Sequence, residues 1–151
     1  MRHSIHSHCS GEEAVAPHVK DEIAQAINGV VIKPARGAAP NIRDAILGNL
    51  KALGWSGKIP VAKGSDITIT SMREDVGLCL QTGNMARMYA DLVKLQTLYL
   101  DNAIKAAVLI VPSEPVALLL GSNIAQAKRL ERELDIFKKA YHVPTLVYAL
   151  E

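Results

Sequence analysis

Residues 76–96, VGLCLQTGNMARMYADLVKLQ, constrain the fold more than any other stretch of the chain. A short apolar segment runs through the polar turn Gln81-Thr82-Gly83-Asn84 directly into a long amphipathic segment. This pattern predicts a buried strand that is followed at once by a helix. Polar groups at the end of a buried strand are held rigidly, and ligand binding or chemistry is often found there.

The C-terminal half continues the alternation of strand and helix. Residues 105–111 are a continuous apolar run, residues 122–140 are a charged amphipathic helix, and residues 145–150 are a last strand. Two crossovers of this kind require a parallel portion of sheet, and a strand at 66–71 adds an antiparallel hairpin. We therefore predict an α/β fold with a mixed four- or five-stranded sheet flanked by helices.

The N-terminal half predicts mainly helices. One helix should run from about Pro17 to Asn28, and a second should start at the N-cap Asn41 and end near Gly54. The first 13 residues are polar and rich in histidine, which indicates a polar leader segment, and we assign no strand to it.

Length and composition limit the class of protein. The chain has 151 residues, which fits one domain spanning residues 1–151, and 49% of them are hydrophobic. No signal peptide and no membrane span of about 18 apolar residues is evident. Two cysteines can form one bridge but not a disulfide framework. We expect a soluble, cytoplasmic protein.

Positive charge is concentrated in one segment, although the net charge of the chain is only +2. Between residues 33 and 63 there is one acid, Asp44, and the cations are Lys33, Arg36, Arg43, Lys51, Lys58 and Lys63. Such a patch fits contact with phosphate. The alternative is an ordinary solvated helix face with two loops.

Polar side chains around the 76–82 strand suggest a metal site. Cys79 and Gln81 lie on one face of that strand, and a hairpin with unequal ends could bring Asp66 beside them. Glu22, or Glu12, could add a second carboxylate. Mg²⁺ takes oxygen ligands, and its bound water can attack phosphorus, with Gln81 orienting that water. The alternative is a hairpin with a buried free cysteine.

Two other groups of residues invite a functional interpretation. Asn84, Arg87 and Asp91 occupy the start of the helix after the turn, where free N–H groups and a partial positive charge suit a phosphate. The alternative is a capped helix with a solvent-facing arginine. The residues from His3 to Cys9 include three histidines and one cysteine, which could hold zinc, although structural zinc sites normally draw on two separated pairs.

Several segments together resemble the BglII-type restriction endonucleases, which have the PD-(D/E)xK nuclease fold. The opening 8–14 (HCSGEEA) is similar to the His-x-x-Gly-x-Glu start of that family, and 50–55 (LKALGW) to its helix ending in Gly-Trp. Residues 76–111 resemble its Glu-x-Gln strand, turn, helix and strand, and 110–112 (IVP) and 143–147 (VPTLV) also match.

The resemblance assigns roles to particular residues. The family's glutamine falls on Gln81 and its glutamate falls on Cys79, which removes a metal-binding carboxylate. The leading aspartate of the family falls near Thr70 if the hairpin strands are equal, and on Asp66 if the hairpin is longer. The resemblance implies double-stranded DNA as the substrate and a homodimer or a partner protein as the assembly.

The expected function is therefore that of a magnesium-dependent, restriction-endonuclease-like protein acting on DNA. Mg²⁺ would be held by Asp66, a helix carboxylate such as Glu22, and backbone oxygens, while phosphates would be contacted by Lys33, Arg36, Arg43, Asn84 and Arg87. The alternative is a catalytically silent nuclease-fold module that binds DNA or a partner subunit in a defence complex, and Cys79 favours it. A small metal or redox protein is a third possibility.

Overall fold

A computed structural model describes all residues from 1 to 151. The chain contains seven strands and six helices, and strands and helices follow each other from β5 to the C-terminus. The strands are β1 (His3–His8), β2 (Ile59–Pro60), β3 (Thr68–Ile69), β4 (Ser71–Arg73), β5 (Val76–Leu80), β6 (Ala106–Pro112) and β7 (Thr145–Leu150). The helices are α1 (Gly11–Ala14), α2 (Pro17–Asn28), α3 (Ala39–Ala52), α4 (Met85–Leu100), α5 (Glu114–Leu120) and α6 (Ala127–Phe137).

Five strands form the main sheet, in the order β1-β7-β6-β5-β4. Strands β5, β6 and β7 are parallel, whereas β1 and β4 run antiparallel to their neighbours at the two edges. The predicted mixed α/β sheet, its parallel portion and its hairpin are confirmed. Parallel strands need covering on both faces, and all seven residues of β6 are accordingly buried.

Helices cover the two faces of the sheet and enclose two apolar clusters. One cluster joins α2, α3 and α5 to the face that bears Leu78 and Leu80. The other joins α4 and α6 to the face that bears Cys79 and Leu109. Because β5 alternates between these clusters, its carboxyl end emerges between α3 on one side and α4 on the other.

The helix ends predicted from the sequence are correct for α2 and α4 and wrong for α3. Helix α2 has the predicted bounds, and the Asn84 side chain caps α4 by accepting a hydrogen bond from the Ala86 N–H at 2.8 Å. The predicted N-cap Asn41 is wrong, because α3 already begins at Ala39 and has Pro40 in its first turn. Proline is tolerated there since its missing N–H has no helical partner.

Two strand predictions are corrected. The predicted leader contains β1, whose backbone pairs with β7 from His3 opposite Leu150 to His8 opposite Thr145. The predicted strand 66–71 is split, because β3 leaves the main sheet to pair with β2, and the hairpin ladder of β4 starts only at Ser71. Both cysteines are free, with Cys9 exposed and Cys79 buried. No helix combines the length and hydropathy needed to cross a membrane.

Candidate functional site

A cleft of about 590 Å³ opens at the carboxyl end of β5, between α3 and α4. Its charged lining residues are the cations Arg43, Lys58, Arg87 and Lys94 and a single acid, Asp91. We refer to this feature as the cationic cleft. Four cations facing one carboxylate give it a strongly positive potential, and such potentials attract anions from solution.

The Gln81 side chain is held in one orientation at the floor of the cationic cleft. Its Oε1 accepts a hydrogen bond from the Gly83 N–H at 3.0 Å, and its Nε2 donates to Asp91 Oδ2 at 3.3 Å. The Gln81 backbone N–H donates to the Ile110 carbonyl of β6 at 2.9 Å, which fixes the residue to the sheet. With both ends of its amide engaged, Gln81 is a rigid part of the site.

Asp91 and Lys94 form an ion pair one helical turn apart on α4. Lys94 Nζ lies 2.9 Å from Asp91 Oδ1, and the side chains are 25% and 9% exposed, respectively. The two carboxylate oxygens of Asp91 thus have different partners, Lys94 on one and Gln81 on the other. A buried carboxylate needs such partners to remain charged.

Cys79 lies beneath the cleft and does not line it. Its side chain is 1% exposed and packs in the apolar cluster under α4. Burial raises the pKa of the Cys79 thiol far above its ordinary value, and the nearby Asp91 carboxylate raises it further. Cys79 is therefore a neutral thiol, and the thiolate is the form that binds metals.

The structure distinguishes the two candidate positions for the family's leading aspartate. Thr70 lines the cationic cleft, and its Oγ1 accepts a hydrogen bond from the Leu80 N–H at 3.1 Å. Asp66 is exposed in the turn before β3 and is not among the residues that line the cleft. The expected approach of Asp66 to Cys79 or Gln81 is not found, because β3 pairs with β2 and takes this turn away from β5.

Glu22 belongs to a different polar group. Its carboxylate accepts hydrogen bonds from Trp55 Nε1 at 2.9 Å and Arg73 Nη2 at 3.1 Å. Arg73 pairs with Val76 at the beginning of β5, whereas Gln81 follows its end, roughly 16 Å further at the rise of a strand. Glu22 therefore ties α2 to the hairpin and does not line the cationic cleft.

The predicted phosphate contacts separate into two groups. Arg43 and Arg87 line the cationic cleft, and Arg43 Nη1 donates a hydrogen bond to the Leu80 carbonyl at the end of β5. Lys33 and Arg36 are exposed in the loop before α3 and, like Asn84, do not line the cleft.

Lys58 and Lys94 are cleft residues that the sequence did not single out as contacts. Lys58 belongs to the basic segment, so its charge was a usable signal. Lys94 lies at position i+3 from Asp91, which indicates a helical ion pair but not that the pair faces the end of β5.

The residues of the cationic cleft do not fit a divalent metal ion. Mg²⁺ sites use one or two carboxylates together with water and substrate oxygens. Here the one carboxylate, Asp91, is already paired with the ammonium group of Lys94. The thiol of Cys79, two residues before Gln81, is buried, and sulfur is a soft donor that suits magnesium poorly. Elsewhere, no group of three or more His, Cys, Asp and Glu side chains is placed to hold a metal. The His-rich segment of β1 therefore does not form the zinc site considered from the sequence.

Comparisons with known proteins found a matching family model and similar solved structures. The family model described as restriction endonuclease BglII/BglIII matches residues 3–150. The crystal structure of BglII with a DNA 16-mer is similar with a TM-score of 0.85 and 17% identity, over 100% of this chain and 78% of that one. Free BglII is similar with a TM-score of 0.72 and 18% identity, over 100% and 80%. No curated protein sequence matches.

Proposed function

This chain belongs to the restriction endonuclease BglII/BglIII family, and from that membership we propose that it binds the phosphate backbone of double-stranded DNA in the cationic cleft. The resemblance found in the sequence motifs is thereby confirmed, as are the restriction-endonuclease-like fold and the general assignment to DNA-acting nucleases. One solved relative is a complex with DNA, which supports the choice of ligand.

The observation on which the proposal rests is the arrangement of cations around the end of β5. Arg43 approaches from α3 and Arg87 from the first turn of α4, so the two guanidinium groups stand on opposite walls of one cleft. Guanidinium groups suit phosphate because their donors match its oxygens in pairs. A backbone that enters the cleft would be contacted from both faces of the sheet.

Salt-dependent binding of a fluorescent duplex tests the proposal. Each phosphate contact adds about 0.9 to the slope of log K against log salt concentration. We expect Arg43→Met/Arg87→Met to reduce that slope by about 2 and to weaken binding strongly at low salt. Arg132→Met, which removes an exposed arginine on α6, is the matched control and should leave both quantities unchanged. Undiminished binding by the double variant would refute the proposal.

Lys33, Arg36 and Asn84 remain predicted DNA contacts outside the cleft. Their exposed positions before α3 and at the start of α4 leave them available to a duplex that extends beyond the cleft. The same titration with Lys33→Met/Arg36→Met measures the contribution of these two cations to the affinity and to the salt slope.

Metal-dependent hydrolysis is the second candidate, and family membership favours it, because restriction endonucleases of this family generally depend on a metal ion. Magnesium remains a prediction, and the poor fit of the cleft residues to a divalent ion opposes this candidate. Supercoiled plasmid incubated with the protein and Mg²⁺ or Mn²⁺ distinguishes the candidates. Nicked or linear product that is lost in Gln81→Ala would establish hydrolysis, and intact plasmid would exclude it.

The assembly is also a prediction. The family resemblance favours a homodimer, or a complex with a partner protein, on double-stranded DNA. Sedimentation of the purified chain with and without duplex would give the number of copies bound.

A further inference from the structure

A connected row of polar contacts crosses the floor of the cationic cleft and ends in an ammonium group. The Gly83 N–H fixes Gln81, the Gln81 amide donates to Asp91, and Asp91 accepts from Lys94. Gln81 and Asp91 are buried, whereas 25% of the Lys94 side chain is exposed. These contacts therefore fix the position of Lys94 at the carboxyl end of β5, where a ligand in the cationic cleft would bind.

The ammonium group of Lys94 has N–H donors beyond the one that bonds to Asp91. An ammonium group has three N–H donors, and the contact with Asp91 is the hydrogen bond that the structure gives it. The remaining donors are free for the oxygens of a ligand in the cleft. A lysine that is already oriented by a carboxylate loses less side-chain entropy when it binds a ligand than a freely rotating lysine does.

A divalent cation would compete for the same carboxylate at a disadvantage. It would have to displace Lys94 from Asp91 and would also face Arg43, Lys58 and Arg87 in the same cleft. Like charges at such proximity oppose one another, and the partly buried setting screens them less than bulk water does.

We propose that Lys94, positioned by Asp91 and Gln81, binds a backbone phosphate directly and supplies the positive charge at the cleft floor, so that duplex binding needs no divalent metal ion. This inference rests on the proposed DNA binding and adds both a binding residue and an independence from metal. Asp91 is then a positioning residue for Lys94.

Duplex binding by the full chain at fixed ionic strength tests the inference, with EDTA in one series and Ca²⁺ in the other. We expect equal affinities of the wild-type protein in the two series. Lys94→Met should weaken binding roughly ten- to a hundredfold, as expected for loss of a charged hydrogen bond, and should lower the salt slope by about 0.9. Lys139→Met, which removes an exposed lysine outside the cleft, should behave as wild type.

The outcomes separate the inference from the proposed function. Absence of duplex binding in both series at low salt would overturn both. Binding that requires Ca²⁺, or a Lys94→Met protein that binds as wild type while circular dichroism shows it folded, would overturn the inference and leave DNA binding standing. Electron paramagnetic resonance of added Mn²⁺ gives a reading without DNA: a free-ion spectrum supports the inference, and stoichiometric binding that is lost in Asp91→Asn overturns it.

Discussion

At the scale of single residues, two helical glycines show how differently one missing Cβ can matter. Gly11 begins α1, and a Cβ there would clash with the Thr145 carbonyl oxygen and lie 2.8 Å from the Thr145 nitrogen. Those atoms are backbone at the start of β7, so they cannot move aside cheaply. Gly48 lies in α3, where a Cβ would have nothing within 4 Å. The first glycine is required for close packing, and the second is not.

Alanine at these two positions should change stability in opposite directions. Gly11→Ala should lower the free energy of unfolding by about 3 kcal/mol, the upper part of the usual range for overpacking. Gly48→Ala should raise it by roughly 0.5–1 kcal/mol, because alanine has the higher helix propensity and restricts the unfolded chain. Urea unfolding followed by circular dichroism measures both. Similar values for the two variants would contradict the close contact of α1 with β7.

Some residues of the site could be predicted from the sequence, and others could not. Gln81 could be placed at a strand end because the apolar run and the polar turn mark that end locally. The choice between Asp66 and Thr70 could not be made, since it depends on where the hairpin register begins, and that is set by the pairing of β3 with β2. Lys94 was missed because a lysine on an amphipathic helix is usually solvated, and only the tertiary fold shows what it faces.

At the scale of elements, a polar cluster joins α4 to α6. Glu133 accepts hydrogen bonds from Tyr89 Oη at 2.7 Å and from Arg129 Nε at 2.7 Å, and Arg129 Nη2 also donates to Tyr89 Oη at 3.0 Å. Burial alone would raise the pKa of Glu133, but the hydrogen bonds from Arg129 and Tyr89 outweigh it and lower that pKa. The cluster therefore stabilises the charged carboxylate and fixes α6 against α4.

Glu133→Gln should lower the free energy of unfolding by about 1–2 kcal/mol at neutral pH, because a charge-assisted contact is replaced by a neutral one. A lowered pKa in the folded state adds stability above the unfolded pKa of about 4.3, and that stability is lost as pH falls through the folded value. The difference between wild type and variant should thus be constant above about pH 5 and shrink below pH 4.3. Urea unfolding at several pH values measures it, and Asp135→Asn, at an exposed position of α6, is the control. A pH-independent difference would mean that the charge of Glu133 has no part in fixing α6 against α4.

The elements themselves were predicted to different extents. Local signals, namely the periodicity of apolar residues and the capping residues, predict strands β5, β6 and β7 and helices α2 and α4. Strand β1 has no such signal, because its alternating histidines and serines become a strand only through backbone pairing with β7. Helix α5 was not predicted either; it follows β6 closely, with Pro115 in its first turn.

At the scale of the whole molecule, the cationic cleft joins the two helical layers that lie on opposite faces of the sheet. Arg43 belongs to the layer of α3, and Arg87 and Lys94 belong to the layer of α4 on the other face. In the free chain these side chains repel one another across the cleft, with Asp91 as the one compensating acid. A bound polyanion would replace that repulsion by attraction to both layers at once.

Duplex DNA should consequently raise the unfolding temperature of the intact chain. A ligand that binds only the folded state, present at 100 times its dissociation constant, adds about 2.7 kcal/mol, which corresponds to roughly 5–10 °C for a domain of this size. The increase should fall for Arg43→Met, from the α3 layer, and for Arg87→Met, from the α4 layer, and it should disappear in about 1 M salt, where the screening length is about 3 Å. Differential scanning calorimetry with and without a blunt duplex measures the effect, and heparin serves as a polyanion without the geometry of a DNA duplex. A larger shift with duplex than with heparin at equal charge would show that the cleft is shaped for a DNA backbone, whereas a shift that survives high salt would mean that contacts other than these cations hold the DNA.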